Sequence, residues 1–248
     1  MPSRGGKKGA PQREVRWARK EKRQSKRPLW RRLVLWFVKA FCAWFALCLL
    51  SLVLMKWVTP PVTMVQAQRR VESWFAKGKY EKRRTTVELK RISAHLQHAV
   101  IAAEDGRFYQ HRGIDFDELG KIYEDVVDDG EPIRGGSTIT QQLVKNLFFT
   151  THANPFRKVA EFGMAPAADW ILGKQRVLEL YLNVIEWGPG VYGAEAAARY
   201  HYHTRAAAVT RDQAVRLAAV IPLPRRRRPA RMDKYSAIIE QRMAMMGW

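Results

Sequence analysis

The sequence predicts a mainly α-helical domain behind a single N-terminal transmembrane helix. Three observations carry that expectation. Residues 33–55, LVLWFVKAFCAWFALCLLSLVLM, are almost wholly apolar. From Arg91 onward apolar residues recur every three to four positions, while strand patterning is weak throughout. Several of the periodic runs are also preceded by helix start signals.

Residues 1–32 read as a basic, disordered cytoplasmic tail: they are rich in Gly, Pro, Ser, Lys and Arg and have little apolar surface to bury. Residues 33–58 read as a transmembrane signal-anchor helix, since about 20 apolar helical residues span a bilayer core. Lys39, its one charge before Lys56, lies near the N-terminal end, where a long side chain reaches back to the headgroups. Trp30, Trp36 and Trp57 suit the two interfaces. Pro60-Pro61 ends the helix, and residues 59–90 read as a polar, basic linker that begins a membrane-proximal lobe. Residues 91–248 are the folded domain, with helices expected at about 93–104, 116–127, 139–149, 155–172, 174–185, 191–201 and 211–221. Asp115 with Glu118, Thr138 with Gln141, and Thr210 with Gln213 have the spacing of capping boxes. Asn154-Pro155 reads as an N-cap followed by the first helical residue, and Pro222 stops the last helix. Residues 225–231, RRRRPAR, read as a solvated basic surface.

Length and composition agree with one domain plus an anchor: 248 residues, 47% hydrophobic, formal net charge +21. Charge alone leaves nucleic acid, an anionic membrane and an acidic substrate open. Its distribution says more. Thirteen Lys and Arg stand in residues 1–32 against only Glu14 and Glu21, so the flank of the span is strongly basic. That flank places the N-terminus in the cytoplasm and everything after Thr59 outside it. The only cysteines, Cys42 and Cys48, lie in the apolar stretch, which excludes a disulfide framework or cysteine metal site in the domain.

Four clusters carry chemistry. In EDGRFYQHRGID, residues 104–115, an apolar helix ends on Glu104 and Asp105. Acids at a helix C-terminus oppose the dipole, so local helix stability does not account for them. In GGSTITQQLVKN, residues 135–146, a glycine turn leads into a capped helix whose Thr138, Gln141, Gln142 and Lys145 read as a polar face. Such a helix start can cradle an anion such as pyrophosphate, although an ordinary amphipathic helix has the same pattern. In RKVAE, residues 157–161, Arg157 and Glu161 share a helix face, as a surface ion pair or as a second carboxylate balanced by cations. In residues 174–202, Val177, Leu178, Tyr181, Leu182 and Ile185 form a core stripe, and Gly188, Gly190 and Gly193 a tight turn. His111, His152, His201 and His203 match no metal-site spacing.

Together and in this order, the four clusters resemble the peptidoglycan glycosyltransferases of family 51 over roughly residues 87–224. With one anchor, no serine-lysine penicillin-binding motif and no room for a transpeptidase domain, the resemblance is to the monofunctional biosynthetic transglycosylases. It implies a lysozyme-like, two-lobed helical fold in the cytoplasmic membrane with an extracytoplasmic catalytic domain. It implies Glu104 as the base that deprotonates the 4-hydroxyl of the N-acetylglucosamine of lipid II. That oxygen attacks C1 of the growing strand, undecaprenyl pyrophosphate leaves, and a β-1,4 linkage forms with inversion. Glu161 is the second carboxylate, near the pyrophosphate, where a divalent cation (Mg or Mn) is a candidate ligand; no organic cofactor is implied. Ser137, Gln141, Lys145, Asn146, Arg157 and Lys158 match substrate-binding positions. The implied partners are lipid II, the undecaprenyl-pyrophosphate-linked glycan, membrane lipids and cell-division or elongation proteins, with no nucleic acid.

The chain departs from the family's pattern at Ala153 and Lys121, where Arg is common, and at Asp169, where Glu is usual. From residue chemistry alone, paired carboxylates serve a glycan-cleaving enzyme equally well. A non-enzymatic membrane scaffold is the rival of another class, and it does not require Glu104, Lys145 and Glu161 to converge.

Overall fold

In the computed structural model, residues 28–76, 80–128, 136–152 and 154–248 are described. The tail up to residue 27, Gly135 and Ala153 lie outside the described residues. Ten α-helices and a three-stranded sheet make up the regular structure among them.

Helix α1, Leu29–Leu54, has 26 residues. At 1.5 Å per residue that is about 39 Å, enough to cross a hydrocarbon core of about 30 Å. Its first part, to Ala43, exposes its apolar side chains, Trp36 at 68% and Phe37 at 74%. In water such a surface is unfavourable, and in lipid it is not. The helix fits a single-pass membrane anchor. From Trp44 on, the helix belongs to the folded unit: Cys48 and Leu52 are buried in its core, and the Trp44 ring meets Phe149 edge-on at 5.5 Å.

Helix α2, Met64–Phe75, lies in the segment expected to be a linker that begins a membrane-proximal lobe. Its start signal was there to be read: Thr63 and Gln66 have capping-box spacing, and the Gln66 amide donates to Thr63 Oγ1 at 3.3 Å. Val65 and Gln66 are buried while Val71, Trp74 and Phe75 are exposed.

The next helices fall close to their expected positions: α3 at Ala94–Glu104, α4 at Phe116–Asp128, α5 at Ile139–Phe148, α6 at Pro155–Leu172, α7 at Lys174–Val184, α8 at Ala194–Tyr202 and α9 at Arg211–Ala218. Both reciprocal bonds of the capping box form at Thr138 and again at Thr210. Asn154 caps α6 through the Phe156 amide, and Asp115 Oδ1 accepts from the Glu118 amide. Helix α10, Asp233–Met245, lies beyond the expected last helix. A 3-10 turn at Pro229–Arg231 restarts the chain, and Ser236, Ile239 and Met243 form the buried stripe of α10.

Helix α5 packs against α2, α6 and α7; α3 packs against α9 and α10. One core joins the two groups, with Leu96, Val100, Leu143, Val144, Leu178 and Tyr181 fully buried. The sheet is small and ties the glycine turn to the segment before α3: β1, Arg83–Arg84, runs parallel to β3, Val191–Tyr192, which pairs antiparallel with β2, Glu186–Gly188. Strands of two or three residues leave too short an alternation to be seen in the sequence.

Gly113 fixes how the first motif meets α6. Its φ is +83°, and a Cβ there would lie 2.5 Å from the Ala165 carbonyl oxygen. The substituent would meet backbone, which cannot rotate away, in a conformation L-residues rarely adopt. Gly113→Ala is expected to lower stability by about 1–3 kcal/mol, read as a drop in denaturant midpoint with unchanged slope.

Candidate active site

The site forms where the end of α3 meets the start of α5. Asp105 follows the last residue of α3 and was unfavourable there on local grounds. The tertiary structure supplies its partner: Asp105 Oδ2 accepts from the backbone amide of Ile139, the first residue of α5, at 2.9 Å. The acid thus sits at a helix N-terminus, where the dipole favours it. His111 Nε2 bonds the same carboxylate at 2.9 Å, and both side chains are buried. Asp115 completes the buried group, with Arg107 Nε 3.4 Å from its Oδ2. The histidine spacing gave no sign of this junction, because its three members meet only when the 106–114 turn closes.

That junction holds Glu104 at a cleft of about 840 Å³, bordered also by Arg107, Ser137, Gln142, Tyr235 and Arg242. Glu104 Oε2 accepts from Gln142 Nε2 at 2.7 Å. Burial pushes the Glu104 carboxyl above the usual carboxylate range; the Gln142 bond and the charges of Lys145 and Arg227 partly offset this.

The polar face read for residues 138–145 splits in two. Gln141 is buried, and its Oε1 accepts from the Thr138 amide in the capping box. Its neighbour Gln142, about 100° further round the helix, reaches Glu104. The capping box was legible in the sequence, and its consequence is that Gln141 has its oxygen engaged. Asn146 is also turned into the helix, donating from Nδ2 to the Gln142 carbonyl at 2.8 Å.

Lys145 lies one turn beyond Gln142. Burial holds its ammonium below the ordinary lysine range; Glu161 and Glu104 act in the opposite sense. The charge of Lys145 is thus felt by both carboxylates. Glu161 is 3% exposed. Its Oε1 lies 3.1 Å from Arg157 Nη1 and its Oε2 3.9 Å from Lys158 Nζ. The reading of Arg157–Glu161 as a surface pair is therefore corrected, since its acid is almost fully buried. Burial raises the Glu161 carboxyl, and Arg157, Lys158 and Lys145 draw it down again. Lys158 Nζ also donates to Ser137 Oγ at 2.9 Å, which links α6 to the loop before α5.

Two departures from the expected pattern find places. Asp169 accepts from Thr140 Oγ1 at 3.2 Å and pairs with Lys174 at 2.8 Å, a tie among α5, α6 and α7. Lys121 is exposed on α4. The basic run at 225–231 is not uniformly solvated: Arg227 is partly buried, stacks over Tyr235 and donates to the Ala219 carbonyl at 2.8 Å.

A divalent cation takes several oxygen ligands. Glu161 offers one carboxylate among three cations, and so makes no cation site by itself. Asp105, His111 and Asp115 are close enough to share an ion. Their oxygens, however, already accept from Ile139 and Glu118 amides and face the Arg107 guanidinium.

A carboxylate in a cleft, and a second carboxylate among cations, with the charge of a half-buried lysine acting on both, suit chemistry at a sugar joined to phosphate. Glycan-cleaving enzymes and glycosyltransferases can both use such a site, and the family match places this one with the glycosyltransferases. Sequence comparison gives the family: the Transglycosylase family model matches residues 70–246, and the chain belongs to that family. Among similar proteins are three named biosynthetic peptidoglycan transglycosylase. That of Methylobacillus flagellatus is 50% identical over 161 residues, 63% of this chain and 70% of its own. That of Dechloromonas aromatica is 42% identical over 215 residues, 85% and 93% of the two chains. That of Laribacter hongkongensis is 37% identical over 219 residues, 84% and 96%.

Proposed function

We propose that this glycosyltransferase polymerises the glycan strand of peptidoglycan from lipid II at the outer face of the cytoplasmic membrane. The observation that carries the reading is Glu104, held by Gln142 at the border of the cleft, with the Lys145 charge acting on both it and Glu161. Glu104 is the general base: its Oε2 is engaged by Gln142, and its carboxyl borders the cleft. It takes the proton from the 4-hydroxyl of the N-acetylglucosamine of lipid II as that oxygen attacks C1 of the growing strand. Undecaprenyl pyrophosphate leaves, and attack from the opposite face turns the linkage into β-1,4.

Lys145, Arg157 and Lys158, with Ser137 held by Lys158, receive the negative charge that builds on the pyrophosphate. Preorganised cations in a partly buried site stabilise such charge more than water does. Glu161 pairs with Arg157 and Lys158 and attracts Lys145. No step requires a metal ion held by the protein alone. Membrane lipids are the second partner: Trp74 and Phe75 on α2, and Phe156, Val159 and Trp170 on α6, are large apolar side chains left exposed.

The direct test incubates the full-length protein in detergent with fluorescent lipid II. A ladder of polymer that lysozyme digests is the expected product, and its absence from folded protein would remove the proposal. Orientation is tested separately. A reporter joined after residue 65 is expected to be active only when it requires an extracytoplasmic location, because thirteen basic residues precede and flank the start of the span. Activity on the cytoplasmic side would reverse the topology.

A further inference from the structure

Tyr181 is fully buried on α7, in the middle of the core stripe, yet it carries a hydroxyl there. A buried phenol needs a partner, and a phenylalanine would fill the same space without one. Its hydroxyl donates to Gln142 Oε1 at 2.8 Å, and Gln142 Nε2 donates to Glu104 Oε2 at 2.7 Å. The chain of bonds has only one consistent direction. An ionised carboxylate accepts and does not donate, so the carboxamide must turn its NH2 to Glu104 and its oxygen to Tyr181. The phenol then has to be the donor. Burial raises the Tyr181 phenol well above its ordinary value, so it keeps the proton this requires.

We infer that Tyr181 is a positioning residue, whose hydroxyl locks the Gln142 carboxamide in the one orientation that presents a donor to Glu104. The inference rests on Glu104 being the base. Without the Tyr181 donor, only the long 3.5 Å bond from Gln142 Nε2 to the Ser137 carbonyl and the repulsion between the amide oxygen and the carboxylate oppose reversal of the carboxamide. With the donor in place, Glu104 Oε2 is fixed and its ionised form favoured. Its Oε1 makes no hydrogen bond among the described residues and is the oxygen available to a substrate hydroxyl.

Several groups face Glu104. Asp105 follows it in the chain, Lys145 and Gln142 come from α5, and Tyr181 comes from α7. Arg227 comes from the turn after α9, and the Arg242 guanidinium of α10 lies beside the Ala102 and Ala103 carbonyls. Tyr181→Phe alters none of these charges, so a change in the acid limb reports the Gln142 bond.

The experiment compares wild type, Tyr181→Phe, Gln142→Leu, the double variant and Glu104→Gln in lipid II polymerisation across pH. For Tyr181→Phe, kcat is expected to fall about tenfold, the usual order for losing one hydrogen bond that fixes a reacting group, with KM little changed. The acid limb of the rate profile is expected to move to higher pH, because an acid that loses a donor to its ionised form holds its proton more tightly. The double variant is expected to match Gln142→Leu alone, since Tyr181 acts only through Gln142. A purely structural hydroxyl would lower the thermal midpoint and leave the acid limb in place, which overturns the inference, as do additive losses in the double variant. If Tyr181→Phe does not fold, Gln142→Leu decides: an unmoved acid limb overturns it. Glu104→Gln separates the levels. An active Glu104→Gln protein removes the base itself, whereas an inactive one with an unmoved Tyr181→Phe profile removes only the positioning.

Discussion

Glu104→Gln is expected to reduce polymerisation by about 10²–10⁴-fold, the usual worth of a general base. The substitution keeps the size of the side chain and its contact with Gln142 while removing the proton acceptor. Folding should not suffer; the sign points the other way. Burial raises the folded-state pKa of Glu104 above its unfolded value. A carboxyl shifted in that direction contributes stability while protonated and costs stability as pH rises through its folded pKa. At neutral pH the ionised Glu104 is therefore a liability that the uncharged amide lacks. The variant is expected to melt at the same temperature as wild type or slightly higher at pH 7. Any gain should vanish in acid below the ordinary carboxylate range, where both side chains are neutral. Calorimetry at two pH values, beside the lipid II assay, checks both parts. A folded Glu104→Gln protein with near-normal turnover would take Glu104 out of the mechanism.

Lys145→Ala is expected to be the next largest loss. Removing one preorganised donor from a site of developing charge costs about 3 kcal/mol, roughly a hundredfold in rate. Here the lysine's charge also acts on both carboxylates, so its loss removes a favourable interaction from Glu104 and Glu161 alike. Arg157→Ala is expected to reduce turnover as well, and to cost stability on the order of 1–3 kcal/mol, because it strips an almost fully buried Glu161 of its nearer partner. An exposed pair would cost only a few tenths. If both cations hold one phosphate group, the double variant loses less than the sum of the two. Turnover, binding of a pyrophosphate-mimicking inhibitor and thermal midpoint together resolve the cases. Turnover unchanged in Arg157→Ala would assign that residue to the scaffold and leave the anion site to Lys145 and Lys158.

The sequence by itself determined the elements whose causes are local. A run of apolar residues long enough for a bilayer became α1, and Thr138 and Thr210 each started a helix three residues before a glutamine. Asn154-Pro155 opened α6, and a three-to-four-residue period marked the buried stripes of α5 and α7. These depend on neighbours within about one helical turn, which a sequence displays directly. The order of the motifs likewise carries the family resemblance that the family match bears out. What only the tertiary structure decided is which side chains meet. Asp105 looked misplaced at the end of α3 until the start of α5 was laid across it. Gln142 and Tyr181 are 39 residues apart, and their bond depends on how α5 packs against α7. Arg157–Glu161 could be read from spacing as a surface pair, but burial of the acid comes from the helices around it. Periodicity gives the face of a helix that is apolar; it does not give the element that will cover that face. The physical reason is that hydrogen bonds and ion pairs act over a few ångströms in space, and only packing of the apolar core brings distant residues within that range.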